Sequence, residues 1–289
     1  MSDARTPLER LPHTRREWSA LLAELGIRPR KGMGQNFLVE PSVVGKIVKT
    51  AGVAPGDLVV EVGPGLGMLT GHLLHAGAAV TSIELDRELV PHLRNTFGNV
   101  EQLTVVEADA LRVPLDQVIP GGASYSVVAN LPYSVAAAVI MRFLELPDLP
   151  ESMTVMVQRE VAERLVATPP DMTVLSVAAQ VLSDPKLNFM VAPGSFLPPP
   201  KVESAVVTLH PIGEARIATD QRPLFFEIVN GGFRHKRKQV LNSLALEFDV
   251  PKVEIASRLI AGGIDPMRRA QTISVAEWIE LTRVWERAA

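Results

Sequence analysis

Glu61-Val-Gly63-Pro-Gly65-Leu-Gly67 sets three glycines at alternate positions, directly after an apolar β-rich run and before a helical pattern. Glycine accepts positive φ and lets a ligand approach the backbone, and the following helix N-terminus offers unpaired N–H groups. The spacing G-x-G-x-G is one residue tighter than the dinucleotide fingerprint, which disfavours NAD without excluding it. Alone, such a loop also serves as a bare strand-to-helix turn. Two acids shift the balance toward a ligand. Glu84 ends the next β-rich run, about 20 residues past the loop, where an acid that accepts from ribose hydroxyls belongs. Asp109 follows the third run, although an acid there also caps turns. The carboxyl ends of parallel strands converge on one crevice, so the glycines, Glu84 and Asp109 should face a common nucleoside. Asn130-Leu131-Pro132-Tyr133 follows a fourth run and is the most diagnostic feature of the chain; its bland alternative is a proline turn with Tyr133 in the core.

Such a site needs an open α/β sheet to hold it. Strands are predicted at Leu58–Val62, Val80–Glu84, Leu103–Glu107, Tyr125–Ala129, Met153–Val157, Leu187–Val191 and Ser204–Leu209. A helix, Met68–His75, separates the first two. Pro193-Gly194 and Pro198-Pro199-Pro200 interrupt the later part and cannot lie within a helix or a central strand. After Pro211 the pattern turns helical, at Arg222–Val229, Lys236–Leu246, Lys252–Leu259 and Val275–Glu286. The expected organisation is an N-terminal arm over 1–30, carrying a loosely packed helix at Glu17–Leu25, then a sheet domain over 31–210 and a helical domain over 211–289.

Composition narrows the chemistry. The 289 residues include no cysteine, which excludes disulfides, a thiolate nucleophile and cysteine-ligated zinc or iron–sulfur centres. The cytosol is then the default location. The start carries Asp3, Arg5, Glu9 and Arg10, unlike a secretory signal, and Val135–Met141 is far too short to span a bilayer. The six histidines show no metal-ligand spacing, and His72 and His75 read as surface positions of a helix, so no metal is expected. The net charge of −3 divides into +3 over residues 1–31, −8 over 32–210 and +2 over 211–289. An acidic body thus lies between mildly basic flanks.

The combination of Gly63-Pro-Gly65-Leu-Gly67, Ile83-Glu84-Leu85-Asp86 and Asn130-Leu-Pro-Tyr133 resembles the S-adenosylmethionine-dependent N6-adenine methyltransferases. Three further stretches narrow the likeness: Gly34-Gln-Asn36-Phe-Leu38, Phe196-Leu-Pro-Pro-Pro-Lys201-Val-Glu-Ser-Ala205, and Phe233-Arg-His-Lys-Arg-Lys238 through Leu244. With them the chain is similar to the small-subunit ribosomal RNA adenine dimethyltransferases, from about Arg30 to about Trp285. The resemblance implies a Rossmann-like, mostly parallel seven-stranded methyltransferase sheet, a small all-helical C-terminal domain, S-adenosylmethionine as cofactor and a monomer acting on two adjacent adenosines of 16S RNA in the small ribosomal subunit. It implies that Asn36 and Leu38 lie over the methionine end of the cofactor and that Gly63 and Gly65 approach its backbone. Glu84 would then take its ribose hydroxyls, Asp109 its adenine amino group, and Asn130 both cofactor and target amine. Phe196 would stack on the target base opposite Tyr133, or else plug the core before the proline turn.

The residues suit that chemistry. An adenine amino group is a poor nucleophile because its lone pair is delocalised into the ring. The Asn130 side-chain oxygen and the Leu131 carbonyl can accept from its two N–H groups and aim the lone pair at a methyl donor. Pro132 brings no N–H to compete, and Tyr133 offers a stacking face. Arg234, Lys236, Arg237 and Lys238 suit RNA phosphates, with Val240, Leu241 and Leu244 turned inward; a solvated charged face is the alternative. Arg28, Arg30 and Lys31 could form a second strip, and Arg268 and Arg269 a weaker third. Ser134 and Met172-Thr173 depart from the family pattern and bear on the shape of the target pocket. Competing expectations are the sister enzymes of large-subunit RNA that give antibiotic resistance, a small-subunit assembly factor acting by binding, and a dehydrogenase.

Overall fold

The computed structural model describes residues 5–29, 35–119, 122–212, 216–235 and 237–287. Arg30, Lys31, Gly34 and Lys236 lie outside the described residues. The chain divides into two units, Met1–Ala162 with Lys186–Pro211, and Glu163–Pro185 with Ile212–Ala289. The elements begin with α1 (Arg15–Glu24), β1 (Phe37–Leu38), α2 (Pro41–Ala51), β2 (Leu58–Val62), α3 (Met68–His75), β3 (Ala79–Glu84), α4 (Leu89–Phe97), β4 (Leu103–Glu107) and α5 (Leu115–Val118). Next come β5 (Ser126–Asn130), α6 (Ala136–Leu144), β6 (Met153–Gln158), α7 (Arg159–Leu165), α8 (Val174–Leu182), β7 (Ser183–Val191), β8 (Phe196–Leu197) and β9 (Ser204–Pro211). The chain closes with α9 (Arg222–Phe233), α10 (Val240–Phe248), α11 (Lys252–Ala261) and α12 (Val275–Arg287).

Seven strands form one sheet in the order β4-β3-β2-β5-β6-β9-β7. β4, β3, β2, β5 and β6 run parallel, and β9 is antiparallel to β6. The inner strands β2, β3, β5 and β6 are buried almost throughout, as their near-continuous apolar runs require. From β2 the chain steps outward to β3 and β4, then returns to β5 on the other side of β2. The two central strands therefore flank a topological switch point, and a crevice opens at their carboxyl ends.

The first unit also takes in the segment expected as an arm. Thr14 and Glu17 form a capping box that starts α1, and Trp18 and Leu22 are buried with Leu11 and Ile27 in the core that covers one face of the sheet. Two elements escaped periodicity because each is only two residues long: β1 and β8 pair antiparallel, Phe37 opposite Leu197 and Leu38 opposite Phe196.

In the second unit, α9 runs on through Gly231-Gly232, past the Val229 expected from sequence. The glycines are there for close packing. A Cβ on Gly232 would come within 2.4 Å of Trp278 of α12, and the Ser243 hydroxyl of α10 donates to the Gly231 carbonyl at 2.8 Å. Thr173 and Ser176 cap α8 in a second capping box, which gives one of the departing residues a structural task.

A buried polar chain pins the register of the later strands. Asn188 of β7 donates to the Thr208 hydroxyl of β9 at 2.8 Å, and that hydroxyl lies 3.0 Å from the Thr154 hydroxyl of β6. Replacing one member strands a buried group, whereas removing facing hydroxyls together strands fewer. Thr208→Val should cost about 2–3 kcal/mol in denaturant unfolding. Adding Thr154→Val to it should cost less than the sum of the two single changes.

Candidate active site

At the switch point, Gly63 follows β2 and Asn130 ends β5, and a Cβ on Gly63 would sit 3.5 Å from the Pro132 ring. The two loops thus lie against each other. Gly65 has φ of +59°, and a Cβ there would sit 3.0 Å from Phe37 of β1. Any larger residue would meet both backbone strain and that ring. The glycine loop, the Asn130–Tyr133 turn, Gln35–Leu38 and the end of β3 enclose a cavity of about 270 Å³ in the first unit. Asn36, Leu38, Gly63, Gly65, Glu84, Asn130, Leu131, Pro132 and Tyr133 all line it, as does the departing residue Ser134.

The loop is fixed by buried carboxylates. Glu84 accepts from the Gly65 N–H at 3.1 Å and from the Asp86 N–H at 2.8 Å. Burial pushes its carboxyl above the usual range, against the pull of those two donors. Asp86 in turn accepts from the Gln35 side chain at 2.6 Å and from the Glu88 N–H at 3.0 Å. The His92 ring of α4 donates from Nε2 to the Leu66 carbonyl at 3.2 Å, and burial lowers its pKa.

Glu61, inside β2, was missed by sequence reasoning. An acid within an otherwise apolar strand directly before a glycine loop was the signal for it. It is 1% exposed and lines the cavity. Its Oε2 accepts from the Thr70 and Ser82 hydroxyls at 2.7 and 2.8 Å, while Oε1 is buried with no hydrogen-bond partner. Burial, aided by the nearby charge of Glu84, pushes its carboxyl up to about 7.

On the opposite wall, the Leu131 N–H donates to the Met156 carbonyl at 3.1 Å, which ties the turn to β6. With that N–H committed and Pro132 lacking one, the turn offers acceptors to the cavity. The Tyr133 hydroxyl shares a 2.6 Å hydrogen bond with Ser204, and burial raises its phenol pKa.

Two expected contacts are placed elsewhere. Asp109 does not line the cavity: its carboxylate accepts from the Leu111 N–H at 2.9 Å and caps the turn after β4, with Arg112 3.5 Å away. Phe196 is wholly buried in the core of the first unit, with its β8 neighbour Leu197 paired to Phe37, so neither face of its ring is open to a base. Here the plug before the proline turn is the reading that matches.

In the second unit, Arg237 and Lys238 are exposed on the connection between α9 and α10, outside the helix expected there. Arg234 pairs with Glu247, and Arg268 with Glu277. Val240 and Leu244 are buried, as the amphipathic pattern requires. Among the described residues no cluster of three or more His, Asp or Glu could hold a metal ion, and no helix is long and apolar enough to cross a membrane.

Residues 26–286 match the family model described as ribosomal RNA adenine dimethylase. Ribosomal RNA small subunit methyltransferase A of Dehalococcoides mccartyi (strain CBDB1) is 40% identical over 256 residues, 88% of each chain. The protein of that name from Alkaliphilus oremlandii is 37% identical over 254 residues, 86% of this chain and 88% of its own. Among solved structures, the 23S rRNA methyltransferase ErmE superposes with a TM-score of 0.68 at 25% identity, covering 87% of this chain and all of that one. A dimethyladenosine transferase from Plasmodium falciparum shares the fold, with a TM-score of 0.72 at 23% identity over 87% of this chain and 98% of its own. The chain belongs to the ribosomal RNA adenine dimethylase family.

Proposed function

We propose that the chain methylates N6 of two adjacent adenosines in the 16S RNA of the small ribosomal subunit, giving dimethyladenosines, with S-adenosylmethionine as cofactor. The observation that carries the reading is the meeting of the glycine loop, Glu84 and the Asn130–Tyr133 turn in one cavity. The residues fit the cofactor. Glu61 Oε1 is a buried carboxylate oxygen without a partner on the cavity wall, suited to a cationic group. Gly63 and Gly65 form a wall that a side chain would fill, and Glu84 stands ready for ribose hydroxyls. When bound, the cofactor supplies a methyl group already activated on a sulfonium.

The protein's part is position and electrostatics. Asn130 and Leu131 accept from the two N6–H groups, favour a tetrahedral nitrogen and direct its lone pair. Tyr133 stacks on the base, which has to leave its helix to reach the cavity. The amine proton passes to water, so no strong general base is needed. Asp109 caps the turn after β4 through one carboxylate oxygen, and the resemblance assigns it the adenine amino group. The second unit offers Arg237 and Lys238 to RNA phosphates, and the reaction belongs in the cytoplasm with the ribosome. The relatives at 37–40% identity carry small-subunit names, which favours that substrate over the large-subunit RNA in the name of the 25% identical structure.

Small-subunit particles assembled without these marks should take up methyl groups from labelled cofactor, whereas isolated large-subunit RNA should not. Asn130→Ala should abolish uptake while leaving cofactor binding within about tenfold of wild type; full activity in that variant would contradict the acceptor role.

Glu61 has a folded-state pKa of about 7 against 4.5 when exposed, so its contribution to stability falls as pH rises from below 4.5 and levels off above about 7. Glu61→Gln should therefore gain on the order of 3 kcal/mol relative to wild type between about pH 4 and pH 8, read from denaturant midpoints, while losing cofactor affinity.

Arg237→Gln with Lys238→Gln should weaken particle binding and reduce the slope of log affinity against log salt by about 2, with cofactor affinity unchanged.

A further inference from the structure

Ser204 opens β9 at the interior of the sheet. It is fully buried and stands in register with Gln158, the last residue of β6. The ladder continues into the next residues, where the Arg159 N–H donates to the Glu203 carbonyl at 3.0 Å and the two side chains pair at 2.9 Å. Ser204 is therefore a rigid point, set by strand register and not by a loop. Its hydroxyl shares a 2.6 Å hydrogen bond with the hydroxyl of Tyr133, a half-buried residue on the cavity wall. Anchored at its far end, the Tyr133 ring can no longer swing about its Cα–Cβ bond.

We propose that Ser204 is a positioning residue that fixes the place of the ring on which the target adenine stacks, and that the second methyl transfer depends on it more than the first. The inference rests on the proposed adenine-N6 chemistry. Each transfer forms a bond from N6 to the methyl carbon, breaks the methyl–sulfur bond with its electron pair left on sulfur, and releases one N6 proton to water. Before the first transfer the amine has two N–H groups, one for Asn130 and one for Leu131. Before the second it has one, so one of the two hydrogen bonds that orient it is gone. Stacking on Tyr133 then carries a larger share of the orientation. A ring free to tilt would still bind the base, yet it would aim the methylated amine poorly.

The test uses unmarked small-subunit particles with wild type, Ser204→Ala, Tyr133→Phe and the double variant, with mono- and dimethyladenosine resolved by mass spectrometry. Each single variant should slow the second transfer about fivefold, slow the first less, and accumulate monomethyl product. The double variant should be no worse than either single one, because both remove the same bond. Ser204→Thr, which keeps the hydroxyl, should restore the dimethyl product. Cofactor affinity should stay at the wild-type value in all of them.

A reading independent of turnover comes from ring-labelled tyrosine, since the chain has only two tyrosines. In NMR, Ser204→Ala should shift and broaden the ring resonances of Tyr133, as the ring swings about its Cα–Cβ bond, and leave those of Tyr125 unchanged. Additive variants, equal slowing of both transfers, or an unchanged Tyr133 ring would overturn the proposal. Normal wild-type dimethylation with an unaltered product ratio in Ser204→Ala would overturn it alone. A wild-type chain that puts no methyl on adenine N6 would overturn the functional reading as well.

Discussion

Two buried carboxylates hold the glycine loop, and the rest of the site follows from how they do it. Glu84 takes the Gly65 N–H, and Glu61 takes hydroxyls from α3, the helix that follows the loop, and from β3, the strand beside β2. Neither acid has a cationic side chain beside it among the hydrogen bonds of the described residues, so their charge is balanced only by donors of N–H and O–H. Burying carboxylates in this way raises their pKa and costs stability, which a structural role alone would not require. The unpartnered oxygen of Glu61 marks where a cationic ligand would relieve that cost. Strain of this kind, confined to a cavity at a sheet switch point, is the mark of a site built for a ligand.

The opposite wall is held by different means. The Asn130–Tyr133 turn is fastened at both ends, to β6 through the Leu131 N–H and to β9 through the Tyr133 hydroxyl. Its Pro132 packs against Gly63, so the Asn130–Tyr133 turn and the glycine loop are set by one interface. The β1–β8 ribbon adds the third side by joining the Asn36–Leu38 segment to Phe196–Leu197. A methyl donor and an acceptor nitrogen can only meet productively if these parts are rigid relative to each other, and all of them belong to one unit.

Much of this was legible in the sequence, for identifiable reasons. Continuous apolar runs gave the inner strands nearly to the residue, because a strand buried on both faces has no room for polar interruptions. The glycine loop, Glu84 and Asn130-Leu-Pro-Tyr133 fell together because the carboxyl ends of parallel strands must converge. Asp109 does not line the cavity with them: an acid at a strand end serves equally well as a turn cap, and here it accepts from the Leu111 N–H. Phe196 is a core residue because its two-residue strand pairs with β1, a contact that no periodicity over two residues can reveal. The helix expected to stop at Val229 runs on through Gly231-Gly232, where Gly231 packs against Glu247 and Gly232 against Trp278, a case of tertiary contact overriding propensity. Glu61 was hidden by its own position, since an acid inside a strand is usually taken as an interruption.

The most direct test is calorimetric titration of the purified chain with S-adenosylmethionine and, separately, with NAD. One site per chain for S-adenosylmethionine, weakened by Glu84→Ala and with no heat from NAD, is the predicted result. Binding of NAD with none of S-adenosylmethionine would contradict the assignment of the cavity.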